Sequence, residues 1–225
     1  MTSARHEVTE LFVTETAATR EIELLRTAAA GDVPVVVVTD RIAASLSETV
    51  TPQGVVAVVR PTPLDAAAVL DGARLVVVLD RVNDPGNAGT AIRTADAAGA
   101  VAVILTAGSV DPHNGKCVRA SAGSVFAVPV LTGMDASAAL DLAGRGRTTI
   151  ATTLDADDDL DALIDAGDLA KPTVWVFGSE AHGLDPAIAA AADRRVRIPM
   201  YGGAESLNLA TSVAVCLYAS ARAQR

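Results

Sequence analysis

Three short stretches of this chain concentrate side chains that can do chemistry. "NDPGNAGTAIR" sets Asn87 and Arg93 behind a rigid Pro85-Gly86 turn. "FGSEAHGL" brackets Glu180 and His182 between glycines, and "IPMYGGAESLNLATSVAV" carries Met200, Ser206 and Asn208. An arginine suits bidentate contact with phosphate better than a lysine does. Each of these side chains also has an ordinary structural role. Asn87 can cap the helix that follows, whose free N–H groups could also hold an anion, and Gly89 lets another group approach the backbone. Arg93, six residues after Asn87, has a buried-looking setting. At about 100° per residue it falls well around the helix from Asn87. An ordinary strand–helix turn with a surface arginine is the alternative. Glu180 must find donors for its carboxylate where a buried strand meets solvent, and an arginine of the first stretch is a natural partner. His182 reads as an exposed loop residue, with no nucleophile elbow and no second histidine nearby. Ser206 makes a good N-cap for the last helix, while Asn208, one turn in, is a poor helix former and needs another reason to be there. "RASAGSVF" places Arg119 and Ser121 on a helix leading into a strand, where they could line the same cleft.

The elements that must position these residues follow from hydrophobic pattern. Uninterrupted apolar runs predict strands at Leu75–Leu79, Ala102–Thr106, Ala127–Val130, Thr148–Thr152, Thr173–Phe177 and Arg195–Pro199, with helical patterns between them and a last helix from about Ser206 to Arg222. This alternation predicts an α/β fold with a mainly parallel sheet covered on both faces, and ligands beyond the carboxyl ends of the strands. The loops after Leu79, Thr152, Phe177 and Pro199 are therefore the place to look. Before them, Val33–Thr39 and Gly54–Arg60 read as strands, with a short helix capped by Asp40. The prolines of "PTPLD" interrupt regular structure and mark a boundary between residues 1–62 and 63–225.

Composition narrows the function. The formal charge of −9 argues against coating nucleic acid by bulk electrostatics, though local recognition by arginines stays open. The stretch "LDADDDLDALIDAGD" carries seven aspartates and reads as a solvated helix start or loop. No glycine fingerprint for dinucleotides and no phosphate-binding loop is present. Cys117 and Cys216 lie far apart, read as reduced thiols packed in helices, and offer no metal cluster. No apolar run is long enough for a membrane span, and "MTSARHEVTELF" lacks the apolar core of a secretory signal, so a cytoplasmic location is expected.

Taken together, in this order and spacing, "NDPGNAGTAIRTADAAG", "GSEAHGL" and "IPMYGGAESLNLATSVAV" resemble the SpoU (TrmH) family of RNA ribose methyltransferases, within the SPOUT superfamily. The resemblance covers roughly Leu75 to Ala219. It implies transfer of a methyl group from S-adenosylmethionine to a ribose 2′-hydroxyl in ribosomal RNA, or less readily transfer RNA, by a homodimer that needs no metal, membrane or DNA. It implies a C-terminal trefoil knot tied around Gly178–Leu184 and Ile198–Asn208. Matching positions give Asn87, Arg93, Glu180, Ser206 and Asn208 as the catalytic set. The backbone around Thr153, Gly178, Ile198 and Leu207 would hold the donor, with Met200 nearby. Arg93 would accept the proton or steady charge, and Glu180 would orient Arg93 or Asn87. Residues 1–62 would be a partial RNA substrate-binding domain, without the basic opening helix and strand usual in the family. The alternative is a catalytically inactive RNA-binding protein that retains the knotted fold.

Overall fold

The computed structural model describes residues 6–156 and 158–225. The chain divides into two compact units, Met1–Pro63 and Leu64–Arg225.

The first unit runs β1 (His6–Thr14), α1 (Glu15–Arg20), α2 (Ile22–Ala30), β2 (Val35–Val38), α3 (Asp40–Ser45) and β3 (Val55–Pro61). Its sheet has the order β2-β1-β3, parallel between β1 and β2 and antiparallel between β1 and β3. Thr14 and Thr39 cap α1 and α3 by accepting the Ala17 and Ile42 N–H groups. Thr39 thus takes the capping role predicted for Asp40. Asp40 instead sits in the first turn, where its charge complements the helix dipole. Strand β1 was not legible from pattern. A register shift between Val8 and Glu10 against β3 breaks the two-residue period that would have announced it. The core of this unit is small: Leu11, Val13 and Ala28, with Leu24, Leu25 and Val55 packed against them.

The second unit runs α4 (Ala66–Leu70), β4 (Leu75–Leu79), α5 (Pro85–Ala98), β5 (Ala102–Leu105), α6 (Gly115–Ser121), β6 (Val130–Thr132), α7 (Ala136–Gly144), β7 (Thr148–Thr152), β8 (Asp158–Asp159), α8 (Leu160–Asp165), β9 (Thr173–Phe177), α9 (Pro186–Ala191), β10 (Arg194–Arg197) and α10 (Leu209–Ala223). Its seven strands are ordered β6-β5-β4-β9-β7-β10-β8, and their ladders are parallel, as the alternating pattern predicts. Side chains alternate across this sheet. Leu75, Val77, Leu79, Trp175 and Phe177 pack with α5 and α10 on one face. Val76, Val78, Val174 and Val176 pack with α7 and α9 on the other. With so few aromatics the layers close through small residues. Helix α5 buries Ala88, Gly89, Ala91, Ile92, Ala95 and Ala98, which brings α6 and α10 close. The Trp175 indole N–H donates to Ser220 Oγ at 2.8 Å and ties α10 to β9.

Several predicted boundaries move. The strand expected at Ala127–Val130 begins only at Val130, because Gly123, at φ 95°, leads into a short 3₁₀ turn at Ser124–Phe126. The last strand ends at Arg197, two residues before Pro199. The last helix begins at Leu209 rather than Ser206. The acidic stretch gives a two-residue strand and α8, capped by Asp159. Its aspartates are also partly paired: Arg194 bridges Asp158 and Asp168, at 2.7 and 3.2 Å. No helix among the described residues is long and apolar enough to cross a membrane.

Candidate active site

The first candidate residue stands at the exit of β4. Asp84, rather than Asn87, caps α5: its Oδ1 accepts the Asn87 backbone N–H at 2.7 Å, with Pro85 in the first turn. That bond, aided by the Lys116 ammonium at 3.2 Å, holds the Asp84 carboxyl below the usual carboxylate range. Because Asp84 does the capping, the Asn87 side chain is free to turn outward.

It turns toward two segments far away in sequence. Asn87 Nδ2 donates to Glu180 Oε1 at 2.7 Å, and Asn208 Nδ2 donates to Asn87 Oδ1 at 3.0 Å. Glu180 therefore pairs with an amide and not with the arginine expected for it. Asn208 has a second task that explains its place: its Oδ1 accepts the Ala210 and Thr211 N–H groups and caps α10. Ser206 lies outside the helix, so the capping role expected for it passes to Asn208.

The loop after β9 holds Glu180 in place by closing on itself. Ser179 and Gly183 exchange backbone hydrogen bonds of 3.2 and 2.8 Å, and the His182 N–H donates to Ser179 Oγ at 3.3 Å. Gly183 takes the left-handed conformation, at φ 66°. A Cβ on Gly178 would fall 2.0 Å from the Gly183 carbonyl carbon and 2.1 Å from the Leu184 nitrogen, so only glycine fits. Glu180, Ala181 and His182 form the exposed tip.

Under this loop lies a cleft of about 730 Å³, within the range of small-molecule and cofactor pockets. It is lined by the exit of β7, the loop after β9 and the chain between β10 and α10. Thr153, Gly178, Ile198, Met200 and Leu207 all line it, as do Glu180, Ser206 and Asn208. Thr153 presents a buried Oγ1 with no hydrogen-bond partner among the described residues. Asn87 meets the rim only through its bonds to Glu180 and Asn208.

Arg93 stands apart. It is exposed on α5, contrary to its buried-looking setting, does not line the cleft and makes no ion pair among the described residues. The helical arithmetic accounts for this: six residues past Asn87 the chain has turned to another face. Ser121 and Arg119 do not line the cleft either. Ser121 is buried and donates to the Val118 carbonyl at 2.8 Å, and Arg119 is exposed. The group that approaches Gly89 is the backbone of α6, since a Cβ there would lie 2.3 Å from the Cys117 carbonyl oxygen. Pattern reading missed Asp155 and Arg195, which line the cleft, and gave His182 no place in it. The signal for Asp155 was its position just after the β7 exit.

Both cysteines are buried and unpaired. Burial pushes the Cys117 thiol up to about 11 and raises that of Cys216 as well, so neither is a nucleophile near neutral pH.

Residues 74–218 match the SpoU rRNA methylase family. The chain belongs to that family. Residues 2–64 match the substrate-binding family of RNA 2′-O ribose methyltransferases. Among SpoU relatives, the 23S rRNA (guanosine(2553)-2′-O)-methyltransferase of Bacillus subtilis is 37% identical over 77% of this chain and 67% of its own length. Two solved structures are similar over 96% of this chain. The SpoU methyltransferase AviRb of Streptomyces viridochromogenes, in complex with AdoMet, is 29% identical with 83% of it covered and a TM-score of 0.81. The AdoMet-bound rRNA methyltransferase of Sinorhizobium meliloti is 30% identical with 80% covered and a TM-score of 0.78.

Proposed function

We propose that this chain is an S-adenosylmethionine-dependent RNA 2′-O-ribose methyltransferase, acting on ribosomal RNA in preference to transfer RNA. The observation that carries this reading is the hydrogen-bonded series Asn208–Asn87–Glu180, built from three distant segments at the rim of a cofactor-sized cleft. The relatives that match are named as methyltransferases, which leaves the inert RNA-binding alternative without support.

The cleft suits the donor. Its volume is adequate, Asp155 and Glu180 bring carboxylates to a cationic sulfonium, and the unpartnered Thr153 hydroxyl awaits a polar group. Main-chain groups at Thr153, Gly178, Ile198 and Leu207 hold it, with Met200 alongside. When bound, the donor supplies an electrophilic methyl group that needs no metal activation. The protein's work is then to orient a ribose hydroxyl and manage its proton and charge. Asn87 and Asn208 fix the rim, and Glu180 is oriented by Asn87. Ser206 supports the segment that enters α10. Arg93, exposed and without an ion pair among the described residues, grips RNA phosphate and steadies negative charge.

The chain passes in a trefoil knot through the region of Gly178–Leu184 and Ile198–Asn208. The two segments line one cleft together, which supports this. The protein works as a homodimer in the cytoplasm; Val215 and Tyr218, exposed and apolar on α10, support a partner face there. Residues 1–62 bind the RNA substrate, and residues 63–225 carry the chemistry.

Arg93→Ala tests the division of labour. With tritiated S-adenosylmethionine and in vitro transcribed 23S rRNA, methyl transfer falls at least about 100-fold, the scale of one lost charge-stabilising group. Donor affinity by calorimetry stays within about twofold of wild type, a free-energy change of under about 0.5 kcal/mol. Equal loss of both would remove Arg93 from the chemistry. A product ribose that still allows alkaline cleavage, with the methyl group on a base, would refute the reaction itself.

A further inference from the structure

We propose that Arg81 grips a backbone phosphate of the RNA strand beside the target ribose; this rests on the methyltransferase reading above. A chain of formal charge −9 does not hold RNA by its overall field, so each phosphate it binds needs a cation fixed locally. Arg81 is fixed against its own backbone preference. It takes the left-handed conformation, at φ 50°, which a residue with a Cβ seldom adopts. Among the described residues Asp32 and Ala122 share that region, and each has a local reason. Asp32 is of a type that tolerates it, and Ala122 ends α6. Arg81 has neither reason. A glycine would turn the chain there without strain, so the strain is borne for the sake of the side chain.

The surroundings hold the backbone and the side chain together. The N–H groups of Asp80, Arg81 and Val82 donate to the Phe177 carbonyl, Thr106 Oγ1 and Ser109 Oγ at 2.8, 3.0 and 3.1 Å. The Asp80 carboxylate is buried; its Oδ1 accepts the Thr106 hydroxyl at 2.8 Å and its Oδ2 accepts Arg81 Nε at 3.1 Å. The arginine stem passes over Gly108, where a Cβ would lie 3.6 Å from Arg81 Cγ. The guanidinium is thus held by one edge. Its outer nitrogens make no hydrogen bond among the described residues, and the side chain stays 47% exposed. An oriented fork with open donors matches the oxygens of a phosphate.

Place agrees with chemistry. Arg81 stands just beyond β4, at the carboxyl edge of the sheet, and opens the loop that leads into α5. Its carbonyl accepts the Asn83 side-chain amide at 3.1 Å, which folds that loop tightly. The loop ends at the Asp84 cap and at Asn87, the residue that bonds Glu180 and Asn208 at the cleft rim. An RNA strand with its ribose at that rim has a phosphate on either side of the sugar, and Arg81 takes one of them.

The test is binding of in vitro transcribed 23S rRNA, measured by filter retention between about 50 and 200 mM salt. Arg81→Gly weakens binding about tenfold and lowers the slope of log affinity against log salt by about 0.7–0.9, the share of one phosphate contact. Asp80→Asn combined with Arg81→Gly gives the same losses. That double variant leaves no buried charge unpaired and keeps the net charge of wild type, so bulk electrostatics cannot account for them. Arg145→Ala removes an exposed arginine at the opposite edge of the sheet, ahead of β7, and stays within about twofold of wild type. Calorimetry gives the same S-adenosylmethionine affinity for wild type and all variants. Arg81 variants that keep the wild-type salt slope overturn the proposal, as does an equal loss in Arg145→Ala. Loss of donor binding in the Arg81 variants would make the residue structural and overturn it too. Wild type that neither binds donor nor transfers methyl to the RNA would instead overturn the methyltransferase reading.

Discussion

Val77 in β4 and Val37 in β2 are the same residue in the same kind of element, yet Val77 is fully buried and Val37 is 59% exposed. The difference lies in what covers each sheet. The seven-stranded sheet has helices on both faces, and every residue of β4 and β9 is buried. In the three-stranded sheet no residue of β2 is buried, and β3 keeps Ala57 and Val58 exposed. One unit closes its core and gathers its cleft at the carboxyl ends of its strands. The other spends a similar composition on surface, where valines contribute β-propensity and little burial.

The sharpest way to break the closed sheet is at its rim. Gly178→Ala puts a methyl group 2.0–2.3 Å from backbone atoms of Gly183 and Leu184, which have no rotamer to escape into. The expected cost exceeds about 3 kcal/mol, at the severe end for overpacking. Denaturant unfolding should reveal it, together with loss of donor binding. A variant of near wild-type stability would show that the loop has another way to close.

This rim also divides what the sequence made legible from what it did not. Apolar runs of β4 and β9 announced themselves, because strands buried on both faces need no alternation. β1 did not, since its bulge disturbs the period. Within the site, the chemically able residue types at Asn87, Glu180 and Asn208 could be picked out, but their mutual bonds could not. Which residue caps α5 depends on whether the backbone turns helical at Pro85 or at Ala88, and one turn of difference swaps Asp84 for Asn87. The same holds at α10, where Asn208 displaces Ser206. The direction of Arg93 is likewise a matter of helical phase, and its apolar neighbours said nothing about the face it would take.

The next effect compares the valines directly. Val77→Ala removes buried methyl groups from a core packed on α5 and α10, and should cost about 2–3 kcal/mol in chemical denaturation. A cost under about 0.5 kcal/mol, the scale of ordinary surface changes, would mean that the closed core relaxes freely and the contrast between sheets is overstated.

Asp84 probes the rim by charge. Asp84→Ala removes the cap of α5 and should cost about 0.5–2 kcal/mol, with the Asn87–Glu180 bond weakened as a consequence. Asp84→Asn keeps an acceptor for the Asn87 N–H but loses the charge paired with Lys116. Because the folded carboxyl titrates below its unfolded value, its stabilisation is present above the ordinary carboxylate range and is lost as pH falls through the lowered value. The gap between wild type and Asp84→Asn should therefore be open at pH 7 and close in strongly acidic solution. A gap independent of pH would assign the effect to shape rather than charge.

The smallest effect lies on the open sheet. Val37→Ala deletes methyl groups that already face solvent, and its cost should stay within about 0.5 kcal/mol. What it removes is mainly β-propensity, so Val37→Thr, which keeps the branched side chain, should lie closer still to wild type. Read beside Val77→Ala by the same denaturant, the pair turns exposure into a measured ratio. If Val37→Ala instead cost as much as Val77→Ala, β2 would be covered in solution, and the valines of the first unit would form a contact rather than a surface.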